Sequence, residues 1–245
     1  MIVGIGSAEV SELVDKRVLI KTGAIETDSE SLALHVALAK AMRKWNLRRV
    51  ISFHSRVSKA KKFGSDQVLV NQWLPQDEVL SGNFTSTTIS SAMPTDKRRS
   101  ILDVLNNIDE TKSCLVTNAR CLTEGIDVPT LDAVVFVDPK SSQVDIIQAV
   151  GRAIRLGGVG KTHGTIVVPI FMPQGKKELA SFEATSHKKI GDVLNELRAH
   201  DQEFGEEIDK LRTELGQRGT IERMPEKLIW DILTTNKKKT SSLAM

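Results

Sequence analysis

Apolar residues recur at helical spacing through residues 28–46, "DSESLALHVALAKAMRKWN", behind an acidic start and ahead of Arg43 and Lys44. Asp28 or Ser29 can cap the free amides there, and the late cations suit the carbonyl end of the helix dipole. The pattern then changes to short, β-branched and aromatic runs. "RRVISFH" (48–54), "STTISSAM" (86–93), "SCLVTN" (113–118), "AVVFVD" (133–138) and "GTIVVPIF" (164–171) each predict a strand. Helices are expected between them. "VSKAKKFGS" reads as a short one ended by Gly64, "PTDKRRSILDVLNNI" as one opened by Pro94 or Thr95, and "SSQVDIIQAVGRAIR" (141–155) as one capped near Ser141 or Ser142. Residues 65–85 lack either period and read as an irregular surface insertion.

Strands that are apolar on both faces and alternate with helices indicate an α/β fold, a parallel sheet flanked by helices on both faces. After Gln174 the period changes again. Ile190, Leu194, Leu197, Phe204, Ile208, Leu211 and Leu215 advance in steps of three and four, a heptad-like stripe broken at Asp201. Gly191 and Gly205 weaken it, so two packed helices and one rod both stay open. A last helix is expected around "PEKLIWDIL", before the polar, lysine-bearing tail "TTNKKKTSSLAM". The organisation expected is thus a linker segment over 1–27, an α/β domain over 28–174 and a helical extension over 175–245.

Composition narrows the function only a little. The 245 residues carry a net charge of +3, which permits a polyanionic partner without requiring one. With no Tyr and 4% aromatic residues, a surface built mainly on stacked bases is disfavoured. Cys114 and Cys121 have no metal-ligand spacing around them, and no protein-bound metal is expected. The start has no basic-then-apolar signal, and no run reaches the roughly 18 apolar residues of a membrane span. A reduced, cytoplasmic location with no membrane contact is the expectation.

Two phosphate-handling signals collide in "QAVGRAIRLGGVGKTHG" (148–164). A phosphate-cradling loop is G-x-x-x-x-G-K-[ST] between a strand and a helix. Counting back from Gly160 puts Arg155 where the first glycine belongs, and here a helix precedes the loop and a strand follows it. "GGVGKT" is therefore a helix-to-strand turn, with Gly157 or Gly158 ending the helix. "QAVGRAIR" is different: Gln148, Arg152 and Arg155 stand four and three apart and share one helical face. Adjacent guanidiniums need an anion near them, and a transferring phosphoryl group suits their charge and fork geometry. Pairing with local carboxylates on a basic surface helix is the alternative.

The segment "TNARCLTEGIDVPTLDAVVFVD" (117–138) begins at the carboxyl end of one strand and enters the next. Ligands of open α/β sheets collect at such ends. Gly125 can bring backbone amides toward a ligand, Asp127 suits a ribose hydroxyl or, alone, a turn or helix cap, and Thr117 and Asn118 can donate to phosphate oxygens.

"TNARCLTEGIDVP" followed by "QAVGRAIR" resembles motifs V and VI of superfamily-two helicases and translocases. "VISFHSRVSKAKKF" (50–63) looks like motif IV of the same family, so the likeness covers about residues 48–172. It implies the C-terminal RecA-like lobe of such a motor. Gln148, where DEAD-box proteins carry His, and the helical tail resemble the restriction-enzyme-like, DNA-translocating branch among DEAD/DEAH-type helicases. The resemblance implies that Arg152 and Arg155 reach the γ-phosphate of ATP, with Gln148 beside the attacking water or the partner lobe. Gly125 and Asp127 would meet the ribose edge. Ser55, Arg56, Thr117, Asn118 and Arg120 would lie along a nucleic-acid strand, DNA in preference to RNA. Arg98 matches a position usually held in a structural salt bridge.

Such a motor needs a first lobe with a phosphate loop and a D-E-x-[HD] acidic pair that holds magnesium. Neither occurs in this sequence: "DEVL" (77–80) and "DETK" (109–112) lack the fourth residue. ATP and Mg2+ would therefore be held mainly by a lobe elsewhere, in the same polypeptide or a partner subunit, and this chain alone would lack ATPase activity. A nucleic-acid-binding or scaffolding module that keeps the fold without the motor is the competing reading. The heptad-like stripe admits helices docking back onto the parent chain, or a coiled coil joining two copies.

Overall fold

The computed structural model describes residues 2–6, 19–22, 25–77, 79–119, 128–138, 165–171, 205, 206, 209, 210, 213 and 230–234. Nine strands and three helices have defined bounds. They are β1 (Ile2–Gly6), β2 (Leu19–Thr22), β3 (Ile25–Asp28), α1 (Ser29–Lys44), β4 (Arg49–His54), α2 (Val57–Trp73) and β5 (Asn83–Ser90), then α3 (Thr95–Asn106), β6 (Lys112–Ala119), β7 (Ala133–Asp138), β8 (Thr165–Phe171) and β9 (Trp230–Thr234). Seven strands form one sheet in the order β5-β6-β4-β7-β8-β1-β9, and every pairing in it is parallel. β2 and β3 form a separate antiparallel pair.

Helix α1 forms where the apolar spacing predicts it. Ala33, Ala37, Leu38, Ala41 and Met42 pack on Val50, Leu115, Ala133, Val135 and Val167 from four neighbouring strands. Its flank, Leu32, Val36 and Ala39, packs against Val70, Leu74 and Val79 of α2 and the segment after it. Burying an aliphatic side chain contributes about 1.5–3 kcal/mol, so this layer is the main source of stability for the described region. The helix stops at Asn46, which takes φ 50°, while Leu47 N donates to Met42 O at 2.8 Å. Asn tolerates that left-handed conformation better than most residues, and the bond satisfies a terminal carbonyl.

The chain then runs β4–α2–β5 toward the sheet edge and β5–α3–β6 back inward. Right-handed crossovers in opposite directions place α2 and α3 on opposite faces, the arrangement expected of the α/β class. At the amino edge Asp132 joins the starts of β4 and β7. Its Oδ2 accepts from Arg48 N at 2.9 Å and Arg49 N at 2.8 Å, and its own amide donates to Arg49 O at 2.9 Å.

Five expectations need correction. Gly64 does not end a helix: α2 runs on to Trp73. The glycine is there because a Cβ would lie 2.6 Å from Ser86 Oγ and 3.2 Å from Thr117 Cγ2, so it sets a close approach of α2 to β5 and β6. The span 65–85 is accordingly no irregular insertion, since α2 and the start of β5 occupy most of it. Residues 230–234 form a strand rather than part of a helix, because β1 offers them an open edge in register from Ile2↔Trp230 to Gly6↔Thr234. The segment read as a linker over 1–27 supplies β1, inserted between β8 and β9, as well as β2 and most of β3. Arg98 donates to Thr95 Oγ1 at 3.0 Å and meets no carboxylate among the described residues.

Of the heptad-like stripe, residues 205, 206, 209, 210 and 213 are helical, with Thr213 Oγ1 donating to Asp209 O at 2.9 Å. The apolar positions of the stripe and the lysine-bearing tail lie outside the described residues. Among those described, no helix is long and apolar enough to cross a membrane.

Two outcomes follow for stability. Gly64→Val, by crowding Ser86 and Thr117, is expected to cost about 1–3 kcal/mol in urea unfolding. At the turn before β6, hydrogen bonds from the Thr111 hydroxyl, the Lys112 ammonium and the Thr111 amide hold the Asp109 carboxyl down at about 2, against an ordinary 3.8. The stabilisation from this depressed value is complete above 3.8 and is lost as pH falls through about 2. Asp109→Asn should remove that part of the acid sensitivity, and carboxyl chemical shifts measured against pH check the midpoint.

Candidate nucleic-acid interface

Parallel alignment gathers the motif-bearing strand ends. Ser52, Phe53 and His54 of β4 pair with Thr117, Asn118 and Ala119 of β6, which pair in turn with Thr88, Ile89 and Ser90 of β5. On the other side His54 is level with Asp138 of β7, after a register shift at Phe53/His54. The β4–α2 turn and the N-termini of α2 and α3 therefore open toward the same carboxyl edge. Residues 120–127 continue directly from the end of β6 in the chain.

Of the ten site residues read from the sequence, four lie among the described residues. Arg56 is exposed and caps α2 in an extended conformation (φ −140°, ψ 146°) without using its side chain. Its guanidinium has no hydrogen-bond or ion-pair partner among the described residues. Ser55, beside it, is buried. Thr117 is fully buried, and its hydroxyl is shared with Thr88 Oγ1 at 2.8 Å. Asn118 is 2% exposed and points to the opposite face of the sheet, as strand alternation requires. The structure thus brings Ser55, Arg56, Thr117 and Asn118 to one edge but leaves only Arg56 open to solvent. Arg120, Gly125, Asp127, Gln148, Arg152 and Arg155 lie outside the described residues, as do the "GGVGKT" turn and Cys121.

Lysines add positive charge near Arg56. Lys59 and Lys61 are exposed on the first turns of α2, while Lys62 is paired with Asp66 at 2.7 Å. Cys114, on β6, is a buried free thiol whose pKa burial pushes up, against a smaller lowering by the Thr85 hydrogen bond. A buried, protonated thiol is a poor nucleophile. Among the described residues no group of three or more His, Cys, Asp or Glu side chains could hold a metal ion.

Sequence reasoning missed the polar layer beneath α2. His54 Nε2 shares a 2.9 Å hydrogen bond with Ser52 Oγ, and Phe63 of α2 lies between the rings of His54 and His35. His35 Nδ1 is 2.8 Å from Gln67 Oε1, and Gln67 Nε2 donates to His35 O and Asn71 Oδ1. The alternation of Ser52 and His54 in "ISFH" was the available signal, since polar residues facing inward on a strand need buried partners.

The fold is that of a RecA-like α/β lobe, a parallel sheet with helices on its faces. Residues 33–157 match the family described as helicase conserved C-terminal domain, and the chain belongs to it. It is 27% identical over 148 residues to the probable helicase A859L of African swine fever virus (isolate Pig/Kenya/KEN-50/1950), a match covering 59% of this chain and 15% of the viral protein. Over a shorter stretch of 56 residues it is 41% identical to the same protein from isolate Tick/Malawi/Lil 20-1/1983, covering 23% of this chain and 6% of that one. Among solved structures it is similar to the ATP-dependent Type ISP restriction-modification enzyme LlaBIII bound to DNA. There the TM-score is 0.71 with 26% identity, over 97% of this chain and 16% of that one. The chain thus spans about a sixth or less of the length of these relatives. Its family is that of the C-terminal lobes of superfamily-two helicases, as the motif resemblance implied.

The contrast between Arg56 and Thr117 can be measured. Arg56→Ala removes an exposed side chain and should leave stability within about 0.5 kcal/mol. Thr117→Val deprives Thr88 of its partner inside the sheet and should cost about 1 kcal/mol or more. Thermal melts of the two variants separate an exposed group from an internal one.

Proposed function

We propose that this chain is the second motor lobe of an ATP-dependent helicase or translocase, acting on DNA in preference to RNA, and that it turns over ATP only when a first lobe is joined to it. The observation that carries this reading is the extent of the family match. Residues 33–157 take in the β4 end, the 117–130 segment and the Gln148, Arg152 and Arg155 string together. A fold retained only for binding has no need of two guanidiniums and an amide on one helical face. The preference for DNA is supported by the likeness to a DNA-bound restriction-modification enzyme over nearly the whole chain.

In this reading Arg152 and Arg155 reach the γ-phosphate of ATP held across the inter-lobe cleft, and Gln148 adjoins the attacking water. Gly125 and Asp127 meet the ribose. ATP supplies the phosphoryl group whose transfer drives the cycle, with Mg2+ held mainly by the first lobe. Arginine side chains in this role are worth on the order of 10³–10⁵ in rate, because their charge is in place before negative charge develops on the transferring group. Arg56, with Lys59 and Lys61 near it, contacts strand phosphates. A change in the cleft then alters the grip of this edge relative to the other lobe, which is what movement along a strand requires.

Arg155→Ala, in the polypeptide that carries both lobes, should abolish nucleic-acid-stimulated ATP hydrolysis while the circular dichroism spectrum stays unchanged. Retention of most of the activity refutes the assignment. The 245-residue chain alone should show no appreciable hydrolysis, and robust turnover by it would mean that a complete site lies within it.

A further inference from the structure

Among the described residues, nothing holds the exposed guanidinium of Arg56. Its side chain makes no capping bond, and only its backbone is tied down, with Ala60 N donating to Arg56 O at 3.0 Å. The direction in which Arg56 leaves the protein is therefore decided by what fixes the β4–α2 turn on either side. On the strand side that is His54, 6% exposed, bonded to the fully buried Ser52. On the helix side it is Phe63, nearly two turns into α2, whose ring centroid is 4.9 Å from that of His54 at 51° and 4.2 Å from that of His35. The register shift at Phe53/His54 shows that the strand departs from regular pairing at the residue where this clamp begins.

We propose that His54 is a positioning residue for nucleic-acid binding. Its imidazole joins the end of β4 to the body of α2 and so sets the orientation in which Arg56 meets a backbone phosphate. A purely apolar residue at 54 could fill the space against Phe63 but could not bond Ser52, and the strand end would lose that side-chain tie while keeping its backbone pairing with β6 and β7. Because Ser52, His54 and Phe63 are all buried, none of them touches the strand, and their effect on binding runs through Arg56. This inference rests on the reading of the carboxyl edge as a nucleic-acid track.

The test is a double-mutant cycle on the full 245-residue chain. A fluorescein-labelled single-stranded DNA oligonucleotide is titrated at low ionic strength and read by anisotropy. Arg56→Ala should weaken binding and reduce the salt slope by about 0.7, the contribution of one phosphate on a single strand. His54→Phe keeps a ring against Phe63 but removes the bond to Ser52, and Ser52→Ala removes the same bond with the imidazole intact. Each should raise Kd by a factor of about three to ten in the parent chain and cause no further change in the Arg56→Ala background. Circular dichroism confirms that each variant is folded, and Ser52→Ala carries the test should His54→Phe prove unstable. If Arg56→Ala weakens binding while neither other variant does, or if their effects add to that of Arg56→Ala, the positioning role is overturned and the track survives. If the parent chain does not bind, or Arg56→Ala changes nothing, the track itself is removed and the positioning role with it.

Discussion

Every strand of the large sheet runs in one direction, and this constraint decides where chemistry can gather. A parallel strand must be followed by a crossover, so each connection leaves at one edge and returns at the other. In this chain the carboxyl ends of β4, β5, β6 and β7 align within a residue or two, from Ser90 through Ala119 and His54 to Asp138. The amino edge is closed differently. There the Asp132 carboxylate and the Arg48 and Arg49 amides are occupied with one another and with the backbone. One edge is tied by internal bonds, and the other presents helix N-termini and Arg56, which has no side-chain partner among the described residues.

The two helices on the α1 face are attached by different physics. α1 rests on Val50, Leu115, Ala133, Val135 and Val167, a non-directional aliphatic contact. α2 shares in apolar packing through Phe63 and Val70 but adds a polar layer, with Ser86 and Thr117 under Gly64 and His54 beside Phe63. Buried polar groups are costly unless bonded, so such a layer holds its helix in one geometry rather than in a range of similar ones. Directional attachment fixes the geometry of the helix that Arg56 caps. Ser86 Oγ, which has no partner among the described residues, is the loose member of that layer.

Much of the architecture was legible in the chain. The strands at 49–54, 112–119, 133–138 and 165–171 coincide closely with runs of Val, Ile and Phe, because strands buried on both faces leave a continuous apolar signature. Helix α1 was equally plain from its spacing and its terminal cations. Arg56, read from the sequence as a candidate site residue, lies exposed just past a strand end. The misreadings share one cause. Gly64 looks like a stop signal because local propensity cannot distinguish a glycine that ends a helix from one that lets two elements touch. Thr117, read as a ligand residue from its motif, has a hydroxyl bonded to Thr88 of another strand, a partner its own stretch of chain does not show.

What the sequence determined by itself is therefore the class: alternating short apolar runs and amphipathic helices, with the motif strings of a superfamily-two helicase C-terminal lobe carried in order. These are properties of local period and residue chemistry, and they need no partner to be read. The tertiary structure alone decided that Gly64 marks a contact, that 230–234 is a strand because β1 stands open beside it, and that His54, Ser52 and Phe63 meet around the Arg56 turn. Each of those depends on which distant residue arrives opposite, and that is settled by how crossovers and sheet register bring the elements together rather than by any stretch of chain alone.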